Sequence, residues 1–198
     1  MGLVAKNKGG DFELVPEGMH IARCYRVIDC GTQYSEKWSN SSHKILIGWE
    51  FPEETMSDGR PFAVNKKYTC SLNKKASLRR DLESWRGKKF TDQEAEGFDV
   101  SKLLNAPCYI NVVHEKSGEN TYANVAAITP LPRGITCPPA VNPLVILDLD
   151  PAKFDEKVFE GLSDNLKEQI RATPEHKNIQ LGGGAEDAPP YDDDSVPF

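Results

Sequence analysis

From His43 to Phe51 the large apolar side chains fall on every second residue. Ile45, Ile47, Trp49 and Phe51 share one face; Lys44, Leu46, Gly48 and Glu50 share the other. That period of two describes a strand with one side in a core. The period then changes. Leu78, Leu82 and Trp85 follow one another at i, i+4 and i+7, a helical stripe closed by Gly87. It returns to two at Cys108, Ile110 and Val112. Strands are predicted over 19–29, 43–51, 62–72, 107–114 and 121–128, with turns at Ser57–Pro61 and Ser117–Asn120.

The resulting order, β-β-β-α-β-β, leaves few ways to bury every apolar face. It is the plan of the OB-fold, a five-stranded Greek-key barrel with a helix between strands three and four. The helix is expected to plug the barrel end with Leu78, Leu82 and Trp85. Trp49 and Phe51 are expected in the core, because they share a face with Ile45 and Ile47.

The barrel is expected over residues 1–133. Five of the 14 prolines (130, 132, 138, 139 and 143) crowd together after it, so 134–150 reads as an extended Pro-rich connector. Asp150 before Pro151 reads as a helix N-cap with Pro at the first helical position. Phe154, Val158 and Leu162 continue at helical spacing. Ser163 is expected to cap a second helix carrying Leu166 and Ile170, stopped before Pro174, so 151–173 is read as a small helical appendage. Residues 182–198 open with Gly182-Gly183-Gly184 and hold too little apolar surface to offset ordering. They are expected to be a disordered acidic tail.

The net charge of −6 hides a partition. Residues 1–133 hold 19 Lys/Arg against 17 Asp/Glu, whereas 134–181 hold 5 against 8; the tail adds five acids and no base. A mildly basic front therefore carries an acidic rear, and the overall sign is no objection to a nucleic-acid partner. Five cysteines without a CxxC argue for reduced thiols, and the opening residues have no apolar signal region, so a cytoplasmic protein is expected. No apolar run approaches a membrane span. There is no P-loop, no GxGxxG, no cysteine or histidine pair at zinc spacing and no assignable catalytic triad. No cofactor, metal or enzymatic activity is expected.

A single-strand binder needs cations for phosphates and aromatic faces for unstacked bases. Such residues interleave along the expected barrel: Arg23, Tyr25 and Arg26 on strand one; Tyr34, Lys37 and Trp38 in the following loop; Lys44 on strand two; Lys66, Lys67 and Tyr68 on strand three. Lys116 lies in the last hairpin, with Tyr109 and Tyr122 on its strands. Strand parity leaves core and surface both open for Tyr25 and Tyr68, and stacking and cross-strand pairing both open for Tyr109 and Tyr122. Lys74, Lys75, Arg79 and Arg80 place four cations at a helix N-terminus, where the macrodipole favours anions. A docked phosphate would resolve that conflict; a solvated, slightly unfavourable helix start is the alternative.

The chain ends Asp192-Asp193-Asp194-Ser195-Val196-Pro197-Phe198. This resembles the acidic tip of bacterial and phage single-stranded DNA-binding proteins, in which an acidic run precedes an apolar residue, Pro and Phe; here Ser195 intervenes. Gly18-Met19-His20, Cys30-Gly31-Thr32-Gln33, Ser71-Leu72 and Leu82-Glu83-Ser84-Trp85-Arg86-Gly87-Lys88 resemble the phage-encoded members of that group. The resemblance implies a protein that coats single-stranded DNA during replication, recombination or repair. It also implies that Asp192, Asp193, Asp194, Val196, Pro197 and Phe198 recruit replication or recombination proteins. The same acids are expected to compete with DNA for a basic groove. The alternative function is an interaction adaptor whose OB barrel binds protein rather than DNA; a metal-dependent nuclease is a third class.

Overall fold

A computed structural model describes residues 13–36 and 39–182. Five antiparallel strands run in the order β3-β2-β1-β4-β5, where β1 is Gly18–Ser35, β2 Asn40–Thr55, β3 Pro61–Thr69, β4 Pro107–Ser117 and β5 Asn120–Thr129. A short sixth strand, β6 (Val145–Leu147), pairs in parallel with Arg26–Ile28 of β1. The fold is thus mainly β. Helix α1 (Ser77–Arg86) lies between β3 and β4 and buries Leu78, Leu82 and Trp85. Gly87 ends it in the left-handed conformation. A one-turn helix α2 (Asp92–Glu96), held by a capping box between Thr91 and Glu94, was not foreseen from the sequence.

β1 is the spine. Its first third pairs with β4, and from Arg23 onward it pairs with β2. Two register shifts, at Cys24/Arg26 and Asp29/Thr32, interrupt its ladder with β2. The first shift decides which side chains face out. Cys24 and Val27 are both buried three positions apart, so Tyr25 and Arg26 both leave the core face. Ile45, Ile47, Trp49 and Phe51 are all buried, with the Trp49 and Trp85 rings 5.8 Å apart. Strand ends differ from expectation: β1 and β2 continue as a hairpin past Gly31, and Tyr34 pairs with Ser41 within that ladder rather than lying in a loop. The expected closed barrel is not closed by hydrogen bonds. β3 and β5 approach, bridged by Lys66 Nζ donating to Val125 O (3.1 Å), but no ladder joins them among the described residues.

The Pro-rich segment is not a free connector. Fully buried Glu50 accepts from Val141 N (2.7 Å), Asn142 N (2.9 Å) and Asn142 Nδ2 (2.6 Å), pinning it to β2. Beyond it, β6 and helices α3 (Glu156–Glu160), α4 (Asp164–Arg171) and α5 (Pro174–Gln180) build a second core from Leu147, Leu149, Phe159, Leu162, Leu166 and Ile170. That core packs on Ile28, Cys30 and Leu46, the outer side of β1 and β2. Asp150 does not cap a helix: it closes the turn before Phe154, and Asp155 caps α3 instead, accepting from Lys157 N (2.9 Å). Ser163 stands at the start of α4 as expected, though its side chain makes no capping bond. Pro174 begins a helix rather than ending the appendage, because Thr173 caps α5 ahead of it.

α5 is anchored to β1. Glu175 accepts from Thr32 N (2.9 Å) and Thr32 Oγ1 (2.5 Å). At Gly31 (φ +65°) an added Cβ would stand 2.8 Å from Thr173 Oγ1, so glycine admits both the bend and the helix. His43 bridges the junction, 2.7 Å from Asp29 and 3.4 Å from Glu175.

Candidate nucleic-acid interface

The two rows of β3 have opposite surroundings. Val64, Lys66 and Tyr68 point inward; Ala63, Asn65, Lys67 and Thr69 point outward. The outward row joins two open clefts. One, of about 510 Å³, is walled by Phe62, Ala63 and Asn65 of β3, Tyr122 and Asn124 of β5, Tyr25 and Asn142, with Arg60 at its end. The other, of about 500 Å³, lies on the β1–β2 hairpin between Gln33, Tyr34, Asn40, Ser42, Lys44 and Thr69. Each carries an exposed tyrosine at its rim: Tyr122 is 48% and Tyr34 65% accessible. Arg26 stands beside the first cleft, against Tyr25 and Asn65, and Lys67 follows Asn65 in the outward row of β3.

Arg26 lies across β2. Its Nε donates to Asn65 Oδ1 (2.9 Å) at the surface, and its charge centre sits 5.4 Å over the Tyr25 ring. No other hydrogen bond or ion pair from its guanidinium occurs among the described residues. Among the described residues Lys67 donates to the neutral amide of Gln169 on α4 and Lys44 to Thr69 Oγ1 (2.7 Å), and neither forms an ion pair. Lys74 and Lys75 are exposed ahead of α1, which has no capping side chain and no acid in its first turn. Arg80 is 73% exposed beside Asp81. Lys116 is exposed in the β4–β5 hairpin.

Several residues expected at the interface are placed elsewhere. Tyr68 is 2% exposed and donates to Asp81 Oδ2 (2.9 Å), so it offers no ring face to a base. Burial, with the Asp81 carboxylate beside it, pushes its phenol well above the ordinary range. Lys66 turns the same way, ion-paired to Asp81 at 2.7 Å. Arg23 spends its guanidinium on the carbonyls of Pro138 (2.7 Å), Cys137 (2.8 Å) and Asn105 (2.6 Å), tying β1 to the Pro-rich segment and to the loop before β4. Arg79 folds back on Glu83 (2.9 Å) and the carbonyl of Leu72 (3.1 Å). Tyr109 lines neither cleft; it is half-buried on β4, opposite Ile21. Lys37, Trp38 and the six tail residues Asp192, Asp193, Asp194, Val196, Pro197 and Phe198 lie outside the described residues.

The arrangement offers cations for phosphates and ring faces for bases along one side, with amides between them to accept or donate. It offers no poised nucleophile. Burial pushes Cys24 up to about 12 and Cys30 up to about 11, and Cys108 also goes well up, so these thiols stay protonated. Among the described residues, no group of three His, Cys, Asp or Glu side chains is placed to hold a metal ion, and no helix is long and apolar enough to cross a membrane. Sequence reasoning missed Asn65, Gly48 and Phe62. The parity of β3 carried the signal for Asn65, since it shares the outward row with Lys67.

No protein-family model matches the chain, and no curated protein matches its sequence. The likeness to single-stranded DNA-binding proteins therefore stands on the residues that carry it.

Proposed function

We propose that this chain binds single-stranded DNA largely without regard to base sequence, through the outward row of β3 and the clefts at its two ends. The observation that carries the reading is the set of groups on the outward row and its two clefts: exposed Tyr122 and Tyr34 at the rims, with Arg26, Lys67 and Lys44, none of which is ion-paired to an acid among the described residues. Phosphates pass Lys67 and Lys44 while unstacked bases rest on the rings, each stacked base being worth about 1–3 kcal/mol.

The same reading takes β1–β5 as an OB-type barrel, in its partly open form. Support comes from the strand order, from β1 being shared between both halves, and from α1 standing between β3 and β4 beneath the core. The acidic tail, on this reading, recruits replication or recombination enzymes through Val196-Pro197-Phe198. An adaptor function remains the second reading. It is favoured by exposed apolar residues of the connector and β6: Val141 (60%), Leu144 and Ile146.

Titrating the full chain with labelled oligo(dT) at two salt concentrations tests the proposal. Binding is expected to weaken with log[salt] at a slope of about −0.7 per phosphate neutralised. Removing Asp187–Phe198 is expected to tighten it at low salt. An adaptor would leave the oligonucleotide free under every condition, and that outcome would reject DNA binding.

A further inference from the structure

Gly48 sits in the middle of β2, the strand between β1 and β3, pairing with Arg26 on one side and Asn65 on the other. Glycine weakens a strand interior, where it packs nothing and loses the most backbone freedom. The backbone does not demand it here, because φ at Gly48 lies outside the left-handed region. Space does. A Cβ at Gly48 would stand 2.5 Å from Asn65 Oδ1, 2.6 Å from Arg26 Cγ and 2.8 Å from Arg26 Nε. Every clash is with the side chains of one surface pair. Gly48 is buried beneath Arg26 and Asn65.

Arg26 contributes little to the fold in return. Its single hydrogen bond goes to an exposed amide, unlike Arg23 three residues earlier, which holds three carbonyls. A destabilising glycine has thus been placed where its visible effect is to let the Arg26 side chain lie close over β2, with its charge centre over the Tyr25 ring and its Nε held by Asn65.

We infer that Gly48 is a positioning residue that presets Arg26 as a stacking platform for one unpaired base, beside the cleft that Tyr122 rims. The inference rests on the proposed DNA binding and gives that face a base subsite. A planar guanidinium stacks on a base and loses little freedom in doing so; an ammonium at the same place supplies charge alone.

Two variants test it, each titrated with oligo(dT) and with an abasic backbone of equal length. Gly48→Ala must push Arg26 Cγ and Asn65 Oδ1 aside and is expected to weaken oligo(dT) binding about tenfold, with the melting temperature measured beside it. Arg26→Lys keeps the charge and is expected to weaken oligo(dT) about tenfold with an unchanged salt slope. Neither variant should differ from wild type on the abasic strand. If Gly48→Ala lowers stability as well, Arg26→Lys decides alone. Should wild type bind oligo(dT) and Arg26→Lys bind it equally well, the platform is refuted while DNA binding stands. A penalty that persists on the abasic strand assigns Arg26 to phosphate and also refutes it. Failure of wild type to bind oligo(dT) at low salt removes both.

Discussion

Lys66 and Lys67 leave opposite faces of β3. Lys66 reaches under the sheet to Asp81 and to the carbonyl of Val125, and its neighbour in that row, Tyr68, ends on the same carboxylate. Lys67 stands in the outer row between two open clefts and meets only an amide. Arg23 and Arg26 repeat the contrast on β1: the first is consumed by backbone carbonyls, while among the described residues the second uses only its Nε, on Asn65. A basic residue on a strand is therefore no measure of an interface. What matters is whether the fold already supplies its acceptors.

The sharpest way to break this contrast is at Asp81, which serves both inner-row side chains. Asp81→Ala removes one partner of a largely buried pair and is expected to cost about 3 kcal/mol, read by urea denaturation. Lys67→Ala is expected to stay within about 0.5 kcal/mol of wild type. Equal losses would erase the distinction between the rows. The next effect belongs to the connector. Glu50→Ala orphans the amides of Val141 and Asn142 and is expected to cost about 2 kcal/mol, with faster hydrogen exchange at those two amides. Exchange that stayed slow would mean the prolines, not Glu50, hold the segment.

Arg23→Ala and Arg26→Ala come third, as a crossed pair. The first is expected to lose about 1–2 kcal/mol of stability and keep oligo(dT) affinity; the second should do the reverse. The smallest effect is on pH. The bond to Asp29 holds His43 above its ordinary 6.5, so its contribution is full below 6.5 and fades as pH rises through the raised value. Burial works against the charge on Glu175, yet the bonds from Thr32 hold it below its ordinary 4.5, so its contribution is full above 4.5 and is lost as pH falls through the lowered value. Docking of α5 is thus firmest between about pH 4.5 and 6.5. Because His43 is over a third exposed, replacing it by Asn is expected to shift the melting temperature in that window by no more than about 2 °C. The difference should shrink toward pH 8; a constant offset would place the cause in packing.

Where burial follows from period, the sequence was readable. The alternation through Trp49 and Phe51 and the stripe through Trp85 located the core and α1, because a residue's face is a local property. The same period, applied to β3, separates Lys66 and Tyr68 from Asn65 and Lys67; grouping the cations by nearness in sequence obscured it. Tyr25 and Arg26 were beyond such reading, since the register shift that turns both outward depends on which strand β1 pairs with. The fate of Arg23 and Glu50 was also hidden: their partners lie 82 to 115 and 91 to 92 residues away. A dense run of prolines looks like a spacer whether it crosses solvent or is pinned to a strand. Gly48 did carry a local signal, a glycine inside a clean alternation, which marks close approach by another group.

Photo-crosslinking of the full chain to a bromodeoxyuridine oligonucleotide, followed by mapping of the modified peptides, tests the location of the surface most directly. Adducts are expected at Tyr25, Tyr34 and Tyr122, with none at buried Tyr68. Adducts gathered around Tyr109 on β4, or none from a strand that the chain demonstrably retains, would contradict a binding face along the outer row of β3.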